Sequence, residues 1–235
     1  MMTEIHFNKL MALSSSLVII MLMQLGLQLA LADEVNPGLY SAKSSPYGTS
    51  FSTWTTKWWQ WFIQIPNSVH PFGDNSGKYC GTNQEGPIWY LVGGKGPVVR
   101  NCDIPSGTAI LFPILNTEYS FLELGNAKTE LDLRNEAINE NNGAILIASI
   151  DGYAIKNIDS YRVTSGLFNV TFPKDNVFGI GNIAPNTHSQ AVSDGWFIML
   201  EPLKPGPHVL HFHADQNAIP GKDTLIDVTY NLMIK

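Results

Sequence analysis

Hydrophobic and polar positions follow a helical period in one early stretch of the chain. Between Phe51 and Ile65, apolar side chains recur every three or four residues, the spacing of a helix with one buried face. Thr49 and Ser50 each offer an N-cap hydroxyl, and Pro66 ends the helix. Four of the six tryptophans of the chain lie in this stretch. We therefore predict an amphipathic helix whose aromatic stripe faces the core, with Trp59 at the edge of that stripe.

Short apolar runs rich in β-branched residues dominate the rest of the chain and predict β-strands. Turn residues separate them at fairly regular spacing, as in a β-sandwich. The runs cover 88–92, 97–102, 109–115, 145–150, 161–163, 167–172, 196–200, 209–213 and 225–234. The glycine-rich segment 93–96 predicts a hairpin between the first two runs. The predicted fold class is mainly β: a β-sandwich, jelly-roll-like or immunoglobulin-like, with one aromatic-rich helix near the mature N-terminus.

A second helix is predicted over residues 126–142. Asn126 would cap it, and Gly143 follows its end. Its apolar face would consist of Ala127, Leu131 and Ile138, and polar residues interrupt that face. We therefore expect this helix to lie on the surface.

The first 32 residues have the pattern of a secretory signal peptide. Lys9 gives a short charged start, an apolar run follows, and Ala30-Leu31-Ala32 has the small residues that a signal peptidase needs before Asp33. The alternative is an uncleaved anchor helix, because 10–32 approaches the roughly 20 residues that span a bilayer. We predict a secreted or extracytoplasmic protein, at the cell surface or in a periplasm-like space, with one β-rich domain over 33–235 and no membrane span after cleavage.

Charge and cysteine content narrow the possible partners and the compartment. The net charge of −6 argues against nucleic acid, whose phosphates need a basic surface. The two cysteines, Cys80 and Cys102, both lie in the exported part of the chain. Cysteines of exported proteins usually pair, so we predict a disulfide bond between them.

Aromatic residues outside the predicted helix stripe are candidates for binding an extracellular ligand. Flat rings exposed on a β-sandwich stack well on the faces of sugars. Trp59, Tyr79, Trp89 and Tyr90 are the candidate ligand-binding residues. The favoured hypothesis is a secreted binding or structural module, with a glycan or a protein as partner. Asn169 begins an Asn-Val-Thr glycosylation sequon, although it lies within a predicted strand.

A histidine-rich strand supports the alternative hypothesis of a metal-dependent protein or enzyme. His211, His213 and Asp215 alternate along 209–215 and would point to one face. Imidazole nitrogens two residues apart suit copper or zinc, and His70 or His188 would complete the ligand set. The competing interpretation is a strand whose solvent face is simply polar.

Catalytic motifs are not evident in the sequence. No G-x-S-x-G nucleophile motif is present, and enzymatic activity is not favoured. Two of the carboxylates, Asp151 and Asp194, precede glycines and are predicted to lie in turns. Any two carboxylates could meet in a cleft, but linear spacing selects no pair from Asp74, Glu85, Asp103, Glu118, Asp151, Asp194 and Glu201.

Several motifs together resemble a family of secreted, largely uncharacterised microbial proteins. They are WTTKWWQWFIQIP, DNSGKYCGTNQEGPIWYLVGG, RNCDIPSGTAILFPILN, SDGWFIMLEPLKPGPHVLHF and the closing DVTYNLMIK. The family pattern is a W-W-x-W helix, a Cys pair around a G-P-hydrophobic strand and a closing P-L-x-P-G-x-H strand. The resemblance implies export, a disulfide and a β-rich fold. It implies no established activity, so it assigns no catalytic residue.

Overall fold

Two mixed β-sheets make up most of the fold in the computed structural model, which describes residues 38–127 and 129–235. The predicted signal peptide, 1–32, lies outside these residues. The first sheet contains β1 (Ile88–Tyr90), β3 (Ala109–Ser120), β6 (Arg162–Thr164), β7 (Phe168–Phe172) and β8 (Thr187–Leu200). The second contains β2 (Gly96–Ile104), β4 (Ile145–Ile150), β5 (Tyr153–Ala154), β9 (Gly206–Asp215) and β10 (Leu225–Ile234). The described residues thus confirm the mainly β, sandwich-like fold class.

Strand order places the long strand β8 at the centre of the first sheet. The order is β1-β3-β8-β6, and β7 pairs with the N-terminal part of β8. The order in the second sheet is β2-β10-β9-β4-β5. Only β1 with β3 and β2 with β10 are parallel pairs among the described strands. The two sheets meet face to face, and Phe112 of β3 stacks on Phe212 of β9 with ring centroids 5.1 Å apart.

The aromatic helix, α1 (Phe51–Gln64), forms where the sequence predicts it. The Oγ of Ser50 accepts a hydrogen bond from the backbone N–H of Thr53, and Ile65 leaves the helix in an extended conformation before Pro66. The helix packs against β7. Its buried side extends beyond the expected stripe, since Thr55, Trp59 and Ile63 are buried as well.

The second helix, α2 (Glu130–Asn141), differs from its prediction in both its start and its buried face. Thr129, not Asn126, is the N-cap, in a capping box with Asp132. The residues that face the protein are Leu133, Ala137 and Asn141, which are spaced four apart. Leu131, placed on the apolar face by the prediction, is 61% exposed. The prediction was wrong because the helix begins at a cap three residues later than expected and packs on β3 and β8 through Leu133, Ala137 and Asn141.

The predicted hairpin around residues 93–96 is wrong. The strands on either side of it, β1 and β2, belong to different sheets. The buried guanidinium of Arg100 donates to the carbonyl oxygens of Val92 (3.1 Å) and Gly93 (2.8 Å), and the Tyr230 hydroxyl also donates to Val92 (2.9 Å). These bonds take up carbonyl groups just before β2, so the segment crosses between sheets instead of turning back.

The predicted turn at Asp194 and Gly195 is also wrong, because both residues lie inside β8. A Cβ on Gly195 would come within 2.5 Å of the carbonyl oxygen of Leu115 on the neighbouring strand. Gly195 therefore marks a close approach of two backbones within the sheet. Asp151 and Gly152, by contrast, form the predicted turn between β4 and β5.

The disulfide predicted between Cys80 and Cys102 is present. It joins the loop before β1 to β2, and the backbone N–H of Asn101 also donates to the carbonyl oxygen of Ser76 across the same junction (3.0 Å). No cysteine among the described residues is free. In the same part of the chain, no helix has the length and apolar character needed to cross a membrane.

Candidate functional site

A cavity of about 690 Å³ lies between α1, strand β3 and the segments that lead into β2 and β10. Aromatic side chains form one wall of it: Trp58, Trp59, Phe62, Phe72 and Phe178. Polar side chains of β3, together with residues at the end of α2 and before β10, line the rest: Asn116, Thr117, Glu118, Glu140, Asn141 and Asp223. Its size falls within the 300–1,000 Å³ typical of small-molecule sites.

A β-bulge in β3 helps to build the polar wall. The pairing of β3 with β8 shifts register between Pro113 and Leu115. Proline has no N–H to donate to the ladder, so it is compatible with such an irregularity. The bulge also re-aims the side chains that follow it. Leu115, Asn116 and Glu118 lie beyond the shift, and all three line the cavity.

Trp59 differs from the other tryptophans of α1 in its hydrogen bonding. The indole N–H groups of Trp54, Trp58 and Trp61 donate to the carbonyl oxygens of Pro46 (2.9 Å), Leu91 (2.9 Å) and Thr82 (3.0 Å), respectively. The Nε1 of Trp59 is buried and has no partner among the described residues. Trp59 is therefore the one tryptophan of α1 whose indole N–H makes no hydrogen bond to the described chain.

Two more side chains of the cavity wall carry buried polar atoms without a partner. They are the Nδ2 of Asn116 and both carboxyl oxygens of Glu118. An unpaired buried polar group costs about 1–3 kcal/mol, so such groups mark positions where a bound molecule would be stabilised. Unpaired buried polar atoms are also found in Trp89, Ser193 and Trp196, none of which lines the cavity.

The surroundings of Glu118 favour the neutral form of its carboxyl group. Burial raises its pKa well above the usual range, and the nearby carboxylate of Glu123 raises it further. Burial raises the pKa of Glu123 too, but there the backbone N–H and hydroxyl of Ser120 oppose the shift by donating at 3.1 and 2.6 Å. Glu118 has no hydrogen-bond partner of normal geometry in the described chain, so Glu123 acts on it chiefly as a neighbouring charge.

His70 supports the aromatic wall. Its Nδ1 accepts from the backbone N–H of Phe72 (3.0 Å), so the ring proton lies on Nε2, which donates to the carbonyl oxygen of Phe62 (3.0 Å). Burial lowers the pKa of His70 to about 4, and the positive charge of Arg100 adds to the decrease. His70 is thus a neutral group that positions two rings of the cavity, and both its nitrogens are used.

The aromatic residues predicted to bind ligand do not form an exposed surface. Trp59 and Tyr90 are only 5% and 7% exposed, while Tyr79 and Trp89 are partly buried. Tyr90 packs on Trp61 with centroids 5.3 Å apart. Of the four, Trp59 alone lines the cavity. The expectation that Trp59 sits at an exposed helix edge was wrong because its ring packs edge-on against Trp58 and Phe62.

The proposed metal ligands share one face but do not form a ligand set. His211, His213 and Asp215 alternate with buried residues along β9, as predicted. The Nε2 of His211, however, is 2.8 Å from Oδ1 of Asp227 on β10, and Asp215 accepts from the backbone N–H of Asn217. No group of three or more His, Cys, Asp or Glu side chains in 38–127 or 129–235 converges as a metal site would require.

The remaining histidines and the sequon residue also have defined surroundings. His188 contacts the Thr171 hydroxyl at 3.0 Å, far from completing a ligand set with β9. His208 contacts Asp151 at 2.7 Å, and this carboxylate helps to raise the pKa of His208 against the effect of burial. Asn169 is exposed on β7, and its glycosylation stays a prediction.

The residues that matter most at the cavity were not selected from the sequence. Spacing in the sequence does not distinguish Glu118 from the six other candidate carboxylates, and no sequence motif points to Asn116. His70 was considered only as a metal ligand. The one sequence signal near them is Pro113 within an otherwise continuous apolar run, which indicates an irregular strand.

Comparisons with known proteins give little further information. No protein-family model and no curated protein sequence matches this chain. A cysteine protease inhibitor from Entamoeba histolytica is similar in structure at 15% identity and a TM-score of 0.25, covering 63% of this chain and 96% of the inhibitor. The solution structure of amebosin is similar at 9% identity and a TM-score of 0.22, covering 63% of this chain and 100% of its own. Similarities at this level support no assignment.

Proposed function

We propose that the protein is a secreted binding protein that holds a small, neutral, hydroxylated molecule, such as a unit of a glycan, in the cavity beside α1. The observation that carries this proposal is the unpaired Nε1 of Trp59 in a helix whose other tryptophans all have carbonyl partners. The disulfide and the signal-like N-terminal sequence support export, as does the resemblance to secreted microbial proteins.

The chemistry of the wall favours a ligand with both an apolar face and oxygen acceptors. The aromatic rings offer flat surfaces on which the C–H face of a sugar ring can pack. The free donors of Trp59 and Asn116 require acceptors from the ligand. A sugar presents both features on one small molecule, whereas a purely apolar ligand would leave the two donors unpaired at a cost of about 1–3 kcal/mol each.

The charges around the cavity disfavour an anionic ligand. Glu140 and Asp223 line it together with Glu118, and Lys95 is the one basic side chain on its wall. An anion would therefore meet repulsion without a matching cluster of positive charge. A neutral ligand avoids this cost.

The proposal is tested by titrating the full-length mature protein with neutral sugars. Glucose, galactose, N-acetylglucosamine, maltose and cellobiose are the probes, read by calorimetry and by intrinsic tryptophan fluorescence. Glucuronate serves as the anionic comparison. We expect saturable binding of at least one neutral sugar and none of glucuronate. Absence of binding to every neutral sugar would refute the proposal.

Two matched variants assign the binding to the cavity. Trp59→Phe keeps an aromatic ring but removes the free donor, and it should weaken binding about two- to tenfold, the value of one hydrogen bond. Trp89→Phe removes an equally buried and unpaired donor outside the cavity, and it should leave the affinity unchanged. Equal effects of the two variants would place the ligand elsewhere.

A further inference from the structure

We propose that Glu118 binds the ligand as a protonated carboxyl and that Glu123 keeps the proton on Glu118, so that binding at this site requires one proton. The proposal rests on the proposed function, since it concerns the same cavity. It adds a residue that determines specificity and a dependence on pH. It stands on the placement of a buried and a partly buried carboxyl group, of which only the buried one, Glu118, lines the cavity.

The two carboxyl groups have unequal hydrogen bonding, and this decides which holds the proton. Glu123 lies in the turn after β3 and accepts two hydrogen bonds from Ser120, which stabilise its charged form. Glu118 is 4% exposed and accepts none. Two neighbouring buried carboxyls resist a second negative charge, so they titrate as a pair in which one keeps its proton. The group without donors, Glu118, is the one that keeps it.

Further charged side chains line the same cavity. Glu140 at the end of α2 and Asp223 before β10 are acidic, and Lys95 before β2 is the single ammonium on the wall. The residues of α1 and of 177–178 that line the cavity carry no ionisable group. On β8, the carboxylate of Asp194 is held by Arg162 at 2.7 Å, so its charge is compensated. After burial, Glu123 is the neighbouring group that favours the proton on Glu118.

A protonated Glu118 narrows the class of ligand. It adds an O–H donor to the unpaired N–H donors of Trp59 and Asn116, and all three donors belong to side chains that line the cavity. An ammonium group carries no acceptor and would leave all three unpaired. A carboxylate or phosphate would be repelled by Glu123 and its acidic neighbours. The ligand that satisfies the site is uncharged and presents several oxygen acceptors.

Loss of the proton from Glu118 should weaken binding, because a carboxylate would then face the acceptor oxygen of the ligand. Above the pH at which free Glu118 ionises, affinity should fall about tenfold for each pH unit, as expected for one coupled proton. In Glu118→Gln, the amide still donates but cannot ionise, so binding should persist and lose this decline. Glu136→Gln, an exposed change on α2, is the matched control and should behave as the wild type.

The first measurement needs no ligand. Infrared difference spectra between wild-type protein and Glu118→Gln at neutral pH should show the carbonyl stretch of a protonated carboxyl in the wild type alone. In Glu123→Gln, where the neighbouring charge is removed, this band should disappear at a lower pH than in the wild type. An ionised Glu118 at neutral pH would overturn the proposal whether or not any sugar binds.

The second measurement uses the neutral sugar that binds most tightly in the titrations, at a series of pH values. The proposal is supported if the affinity of the wild type and of Glu136→Gln falls tenfold per pH unit and the affinity of Glu118→Gln does not. The same decline in Glu118→Gln would overturn it while leaving the binding function intact. Failure of all sugars to bind would instead refute the proposed function, and with it the ligand part of this proposal.

Discussion

Acid should destabilise the fold through His70, whose buried neutral ring holds two backbone groups of the cavity wall. The side chain is 1% exposed, and its pKa is lowered from 6.5 to about 4 in the folded state. Between these two values the unfolded chain binds a proton that the folded protein does not. The stabilisation is therefore fully present above pH 6.5 and is lost as the pH falls through 6.5 towards 4.

The size of the effect follows from the two pKa values. They differ by about 2.5, from 6.5 to about 4, and each pH unit corresponds to about 1.36 kcal/mol. The limiting loss is about 3.4 kcal/mol, and about 3 kcal/mol of it is reached at pH 4, where His70 is half protonated in the folded state. This is a large share of the roughly 5–15 kcal/mol by which folded proteins are stable.

Urea unfolding from pH 7 to pH 4 tests this for the wild type, His70→Gln and His188→Gln. Glutamine can donate and accept but does not titrate, so the variant should lose about 3 kcal/mol less than the wild type over this range. His188 is exposed on β8, and replacing it should leave the pH dependence as in the wild type. If the wild type and His70→Gln lose stability in parallel, His70 is not the buried neutral group described here.

Three further changes test other parts of the fold. Replacing Cys80 and Cys102 by serine should lower the unfolding free energy by about 3 kcal/mol, because the bond closes a loop with a sequence separation of 22; an unchanged urea midpoint would contradict this. Trp58→Ala and Trp59→Ala should each lower the unfolding free energy by about 3–5 kcal/mol, since both rings are buried. A clearly smaller loss for Trp59→Ala would indicate that its ring is exposed at the edge of the helix stripe. Asp194→Ala should cost about 1–3 kcal/mol by removing the acceptor of Arg162 and Thr164, although Arg162 keeps its bonds to Ile138 and Asn142; calorimetric melting without a shift would contradict this.

Local signals in the sequence were enough to predict α1, the disulfide and most of the strands. The helix is predicted by an apolar repeat that is complete within its fourteen residues, and Ser50 and Pro66 mark its ends. Alternation along β9 likewise gave the correct outward face for His211 and His213. The helix and the strand face each need only the residues of one element, and the disulfide follows from the presence of just two cysteines in the exported part of the chain.

Features that depend on contacts between distant elements could not be predicted. The crossing near Gly93 depends on Arg100 and Tyr230, and the latter lies more than a hundred residues away in sequence. The partner of His211 is Asp227 on another strand, which no spacing rule identifies. Glu118 became significant only once the structure showed that it is buried without partners beside aromatic rings of α1. Sequence periodicity predicts which side chains are buried more readily than which polar atoms are left unpaired.

Under the proposed function, His70 and Glu118 should set opposite limits on the pH range of binding. The aromatic wall needs a neutral His70, which is lost as the pH falls towards 4, and the polar wall needs a protonated Glu118, which is lost as the pH rises. Affinity for a neutral sugar should therefore pass through a maximum, with His70→Gln weakening the acid limit and Glu118→Gln removing the alkaline one. Because His70 acts through Phe62 and Phe72 whereas Glu118 lies on β3, the variants should change the two limits independently. A single variant that shifts both limits would show that one group, not two, controls the cavity.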